Sequence, residues 1–182
     1  MEETASGDWQ AVLDWHRRKT RQRGTGMARM AGVVAVMLAI GAAGAAQACD
    51  KPAKVAAIEA GIAKWVNAER GRKGLGRLGD SNALDRAAQA HACDMASRGY
   101  FGHKGPGGPS FQKRLRTVGY GFSAAVENIA QSGTPTADSA ASIWRNSKAH
   151  WANVLNPSIR EMGVGVATDG SAIYFVFVGG SQ

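Results

Sequence analysis

Downstream of residue 49, apolar residues first recur at helical spacing and later in short continuous runs. Val55, Ile58, Ile62, Trp65 and Val66 fall three or four apart, and Gly71 and Gly74 end the pattern, so residues 54–70 predict an amphipathic helix. Leu84, Ala87, Ala88, His91, Ala92 and Met95 form a second stripe, with Asp80 or Ser81 as its cap and Gly99 as its stop. His91 lies inside that stripe and reads as a hydrogen-bonded core histidine rather than a ligand. Cys93 is nine residues past Leu84, about 180° round a helix that turns about 100° per residue. It therefore faces away from the stripe, toward the N-terminal segment.

Residues 102–110 are dense in Gly and Pro and predict a loop, which carries His103. Phe111, Leu115 and Val118 line a short helix ending at Gly119, whose Lys113, Arg114 and Arg116 read as a solvated basic face rather than a nucleic-acid site. Residues 126–132 suit a strand bearing Glu127. Thr134-Pro135 opens another helix with Pro135 at its first position, and Ala137, Ala140, Ala141 and Trp144 lie along one side, Trp144 as core packing. His150 and Trp151 follow that helix. Residues 162–167 and 172–178 flank Thr168-Asp-Gly-Ser171, which predicts two strands and a hairpin turn. The class is α+β.

Charge changes the reading at the N-terminus. Arg17, Arg18, Lys19, Arg21, Arg23 and Arg29 precede an uncharged run from Met30 to Ala48 that ends Ala46-Gln47-Ala48. A basic region, an apolar core and a small-x-small triplet are the parts of a secretory signal peptide. Residues 27–48 are thus expected to be a signal cleaved after Ala48, behind an extension over residues 1–26 that is either a long n-region or the sign of a downstream start. A membrane anchor competes, but a spanning helix needs about 20 apolar residues and Gly41 and Gly44 weaken this one. A lipoprotein, suggested by Cys49, is opposed by Gln47. Residues 49–182 then form a single domain, secreted or periplasmic, with no permanent membrane anchor after cleavage. In an oxidising compartment Cys49 and Cys93, the chain's 2 cysteines, are expected to pair as a structural disulfide.

Composition narrows the class without naming a function. With 45% apolar and 20% charged residues among 182, collagen-like and wholly disordered chains are excluded. The net charge of +8 is mostly intrinsic to the domain, since the first 48 residues hold 6 basic and 4 acidic side chains. Such an excess favours anionic partners but specifies no nucleic acid. A monomer is expected.

No G-x-S-x-G, H-E-x-x-H, P-loop or C-x-x-C pattern occurs. What remains is dispersed: His103, Glu127 and His150, separated by 24 and 23 residues. Two imidazoles and a carboxylate suit Zn²⁺ with an open fourth position, although such spacings are no metal code. The alternative is structural, with Glu127 accepting hydrogen bonds as a buried carboxylate must.

Asn67-Ala-Glu-Arg70, Leu75 to Leu78, the run Ala87 to Met95, Gly99-Tyr-Phe-Gly-His103, Glu127-Asn-Ile-Ala130, Trp144-x-x-Ser147, His150-x-x-Asn-Val-Leu155 and Gly163-Val-Gly165 occur in order. As a set they resemble the bacterial CAP-domain proteins, of the cysteine-rich secretory, antigen 5 and pathogenesis-related superfamily. The resemblance runs from about residue 58 to 178. It implies an α-β-α sandwich with a central antiparallel sheet of three to four strands between helical layers. It also implies a groove where His103, Glu127 and His150 converge, with Asn128, Ser147 and Trp151 lining the cavity. Many animal members carry a second glutamate where this chain has Ser147, so divalent-metal affinity should be lower and a two-carboxylate mechanism is unavailable.

Three functions follow as expectations. The first is an exported, non-enzymatic binding module whose groove takes a divalent metal, a small lipid-like ligand or an anionic one. The second is a metal-dependent hydrolase or peptidase using His103, Glu127 and His150. The third is an envelope-associated protein held to anionic polymers by its positive charge.

Overall fold

Strand β4, Ile173–Ser181, is apolar along nearly its whole length because it is covered on both faces. Ile173, Phe175 and Phe177 point into one hydrophobic cluster, while Tyr174, Val176 and Val178 point into another. That alternation is the two-residue period of a strand, and it makes the molecule a sandwich with two cores. The computed structural model describes residues 49–182. The extension over 1–26 and the signal peptide over 27–48 lie outside the described residues.

The helices are α1 (Val55–Arg72), α2 (Asn82–Arg98), α3 (Phe111–Thr117), α4 (Ala137–Arg145) and α5 (Lys148–Val154). The other strands are β1 (Gly79–Asp80), β2 (Ala124–Ser132) and β3 (Glu161–Thr168). The sheet order is β1-β3-β4-β2. The three long strands are antiparallel, with Glu127 opposite Val178 and Gly163 opposite Val178 on the other side. β1 adds a two-residue parallel edge, too short to leave a sequence signal. Helices α1, α4 and α5 cover one face through Ile58, Ile62, Val66, Trp144 and Val154. Helix α2, with α3, covers the other through Leu84, Ala88, Met95 and Leu115.

Two glycines set the spacing of that second layer. A Cβ at Gly163 would collide with the backbone of Leu84 and Asp85, and one at Gly165 with that of Ala88 and Gln89. The Gly-Val-Gly sequence therefore lets α2 lie directly on β3. Side chains of α2 then satisfy the strand's outer edge beyond the reach of β1. Asp85 accepts from Val164 N (2.9 Å), Gln89 accepts from Val166 N (3.3 Å) and donates to Val166 O (3.1 Å), and Thr168 N donates to Asp50 O (2.9 Å). Asp50 is held there because Cys49 is disulfide-bonded to Cys93 of α2, with Cα atoms 5.3 Å apart.

The motif at the end of α1 is structural. Asn67 exchanges two hydrogen bonds with the backbone of Leu78, fixing the approach to β1. Arg70, 2% exposed, donates to the carbonyls of Gly76, Val154 and Asn156, and so joins α1 to the end of α5. Pro135 differs from expectation: the cap is Thr136, whose hydroxyl accepts from Ser139 N, and the helix begins one residue later.

Candidate functional site

β2 is the far edge of the sheet, and two of its outward carbonyls are taken by side chains. Trp144 Nε1 donates to Ile129 O (3.0 Å) and Asn153 Nδ2 to Glu127 O (3.2 Å). Consecutive residues of this strand point to opposite faces. Glu127 and Ile129 face the α2 side, whereas Asn128 and Ala130 face the α4–α5 side. The predicted site residues gather around this edge.

Glu127 is buried, its side chain 3% exposed, and both carboxylate oxygens are engaged. His103 Nδ1 lies 2.9 Å from Oε1, and Arg114 Nη2 donates to Oε2 at 2.6 Å. Burial alone would raise this carboxyl, but the hydrogen bond with His103 and the charge of Arg114 outweigh it and hold the group below its ordinary range. An ionised carboxylate only accepts, so His103 Nδ1 carries the hydrogen, and among the described residues its Nε2 meets no partner. The His103 side chain is 56% exposed.

The loop that carries His103 is tied from both ends. Arg98 of α2 donates to Pro106 O, and Arg114 of α3 donates to His103 O (2.9 Å) and Pro109 O (3.4 Å). Gly105 packs against the ring of Tyr100, where a Cβ would collide, and Tyr100 in turn donates to Asp94. Arg114 is thus no part of a solvated basic face. Its side chain is 10% exposed and belongs to the site. Three residues after Phe111 and one before Leu115, it flanks the apolar stripe, a position that already signals partial burial, and Glu127 supplies the partner that its charge needs.

His150 sits within α5, a helix of seven residues that the sequence pattern did not reveal. Asn128, fully buried, donates to His150 O (2.9 Å) and accepts from Asn153 Nδ2 (2.8 Å). Burial, aided by the nearby charge of His103, pushes the His150 imidazole below its ordinary value. Of the expected cavity residues, Ser147 caps α5 by accepting from His150 N (3.4 Å). Trp151 packs on Trp65, centroids 6.3 Å apart. Asn128 is a buried strut. Each of the three thus has a structural partner beside His150.

His91 is in the core as expected, but it is not hydrogen-bonded. Neither ring nitrogen meets a partner, and Nε2 approaches Glu127 Oε1 at 3.9 Å. Burial lowers its imidazole pKa, with the Glu127 charge pulling the other way.

The donor set does not fit a resident Zn²⁺. Glu127 has Arg114 on one oxygen and His103 on the other, Ser147 supplies no carboxylate, and among the described residues no three His, Cys, Asp or Glu side chains converge on a common point. A separate groove of about 1320 Å³ runs along the β3 edge beside the disulfide. Its walls carry both signs of charge, Asp50, Glu59, Asp80 and Asp85 beside Lys51 and Arg86. Among the described residues no helix is long and apolar enough to cross a membrane.

Comparison with known proteins places this geometry. The model of the cysteine-rich secretory protein family, CAP, matches residues 64–180. The uncharacterized protein YkwD of Bacillus subtilis (strain 168) is 34% identical over 128 residues, covering 70% of this chain and 49% of that protein. The chain thus spans about half the length of the curated relative it matches. Among solved structures, an extracellular protein containing a SCP domain from Bacillus anthracis str. Ames is 28% identical with a TM-score of 0.59, over 68% of this chain and 40% of that one. An outer surface protein of Borrelia burgdorferi shares the fold, at 18% identity and a TM-score of 0.61, over 66% of this chain and 90% of that one. With two helical layers enclosing the sheet and the ordered motifs along it, the chain belongs to the cysteine-rich secretory protein (CAP) family.

Proposed function

We propose that this is an exported, non-enzymatic binding module that captures a small amphiphile with an acidic head group at the cleft between His103 and His150, with no metal required. The observation that carries the reading is the double engagement of Glu127. It cancels the carboxylate's charge against Arg114 and leaves His103 Nε2 as the free polar atom of the dyad. An acidic head group can share its proton with that nitrogen without meeting an uncompensated negative charge. Phe101, two residues earlier on the same loop and 50% exposed, offers apolar surface. Export is supported by the disulfide, which persists in oxidising compartments, and by the extracellular description of the Bacillus anthracis relative.

Dodecyl phosphate added to the purified exported protein should raise Tm and give a 1:1 adduct by native mass spectrometry, and His103→Ala should lose both effects. Equal responses from wild type and variant would overturn the assignment. Salt separates it from general attraction to anionic polymers, which screening weakens steeply.

A second reading draws on the same dyad. A histidine oriented by a carboxylate through Nδ1, with Nε2 free, is the arrangement of a general base. It requires hydrolysis of a peptide or ester panel that disappears in His103→Ala.

A further inference from the structure

We propose that Arg114 is a built-in cation that keeps divalent metals out of the Glu127–His103–His150 cleft and thereby determines what the cleft accepts. The inference rests on reading the cleft as a binding site and adds what that site refuses.

The guanidinium is pinned in three directions. Nη2 bonds Glu127 Oε2 at 2.6 Å, while Nη1 bonds His103 O at 2.9 Å and Pro109 O at 3.4 Å. The fork is planar and keeps its charge at any ordinary pH. A divalent ion bound through Glu127 would lie within a few ångströms of that charge, in a pocket where water screens it little. Moving Arg114 aside would also strip the donors from two loop carbonyls. The other oxygen offers no easier entry: Oε1 is bonded to His103, whose ring would have to turn to present a nitrogen to the same ion. Ser147, already capping α5, brings no second carboxylate to offset the arginine.

The test separates charge from hydrogen bonding. Zinc chloride is titrated calorimetrically into the purified exported protein as wild type, Arg114→Gln, Arg114→Lys and Arg114→Gln/Glu127→Gln. Arg114→Gln removes the charge and leaves a shorter amide, and should bind zinc on the order of 10- to 100-fold more tightly than wild type, the scale on which partners of metal ligands alter affinity. Arg114→Lys should not gain, and the double variant should lose the gain. Equal gains in the Gln and Lys variants, or tight wild-type binding that Glu127→Gln abolishes, would overturn the proposal. Should the Arg114 variants fail to fold, the wild-type and Glu127→Gln titrations decide: the proposal requires that Glu127→Gln leave wild-type zinc affinity unchanged. Failure of the dodecyl phosphate assay would be a separate result, since no metal enters it.

Discussion

Glu127 and Asn128, adjacent on β2 and pointing to opposite faces of the sheet, each hold one of the candidate site's two histidines. Glu127 takes the ring of His103 through Nδ1, and Asn128 takes the backbone of His150 through its carbonyl, each at 2.9 Å. The strand thus couples a loop above the sheet to a helix below it. Asn128→Ala should remove two hydrogen bonds inside a buried site and cost about 1–3 kcal/mol. Urea unfolding measures the loss, and the His150 imidazole resonances should move while those of His91 stay in place. Unchanged His150 resonances would mean that the strut does not position the helix.

The approach of α2 to β3 predicts a sharp intolerance. Gly165→Ala places a methyl group against helix backbone rather than against a flexible side-chain end. Overpacking of this kind costs about 1–3 kcal/mol, and more where the backbone must move. Thermal unfolding checks it, with Gly121→Ala, which meets nothing within 4 Å, as the control.

Reduction of the Cys49–Cys93 bond should lower stability. The bond closes a loop with a sequence separation of 44 residues, which in the chain-entropy model corresponds to about 4 kcal/mol as an upper figure. Reduction also frees Asp50 from Thr168, so hydrogen exchange at the Thr168 amide should speed up in reductant. An unaltered Tm in reductant would contradict this.

Acidification should destabilise the fold in two stages. His91 and His150 have folded pKa values below the ordinary 6.5. Below that pH the unfolded chain binds protons that the folded chain refuses, so stability rises with pH through this window and is complete above it. Glu127, held below the ordinary 4.5, adds a second loss as pH falls through its folded value. Tm recorded at constant ionic strength should be level above pH 7 and decline from about pH 6.5 downward. His91→Gln should flatten the upper stage, and a level wild-type profile down to pH 5 would refute it.

How much of this could be read in the chain depends on the length scale of each feature. Helices α1 and α2 and strands β2, β3 and β4 are long enough for their apolar period to emerge, and the pairing of Cys49 with Cys93 follows from their being the chain's only cysteines. Helix α5 spans under two turns, so its stripe is only Trp151, Val154 and Leu155, too short to stand out, and β1 has two residues. Arg114 was misread for a different reason. A basic residue of a short surface helix ordinarily meets water, but Arg114, three residues after Phe111, flanks the apolar stripe, and the Glu127 carboxylate lets its charge stay inside. Ser147 and Trp151 were placed at the cavity through the family resemblance; the structure adds that the first caps a helix and the second packs at a tilt against Trp65.

Both margins of the sheet take hydrogen bonds from outside it: Asp85, Gln89 and the Asp50 carbonyl on β3, and Trp144 and Asn153 on β2. A strand margin with its amides and carbonyls bare is a template on which another chain can assemble. Among the described residues the β3 margin is covered at Val164, Val166 and Thr168, whereas β2 keeps outward amides that no side chain takes, so any strand added by another chain would add along β2 rather than β3.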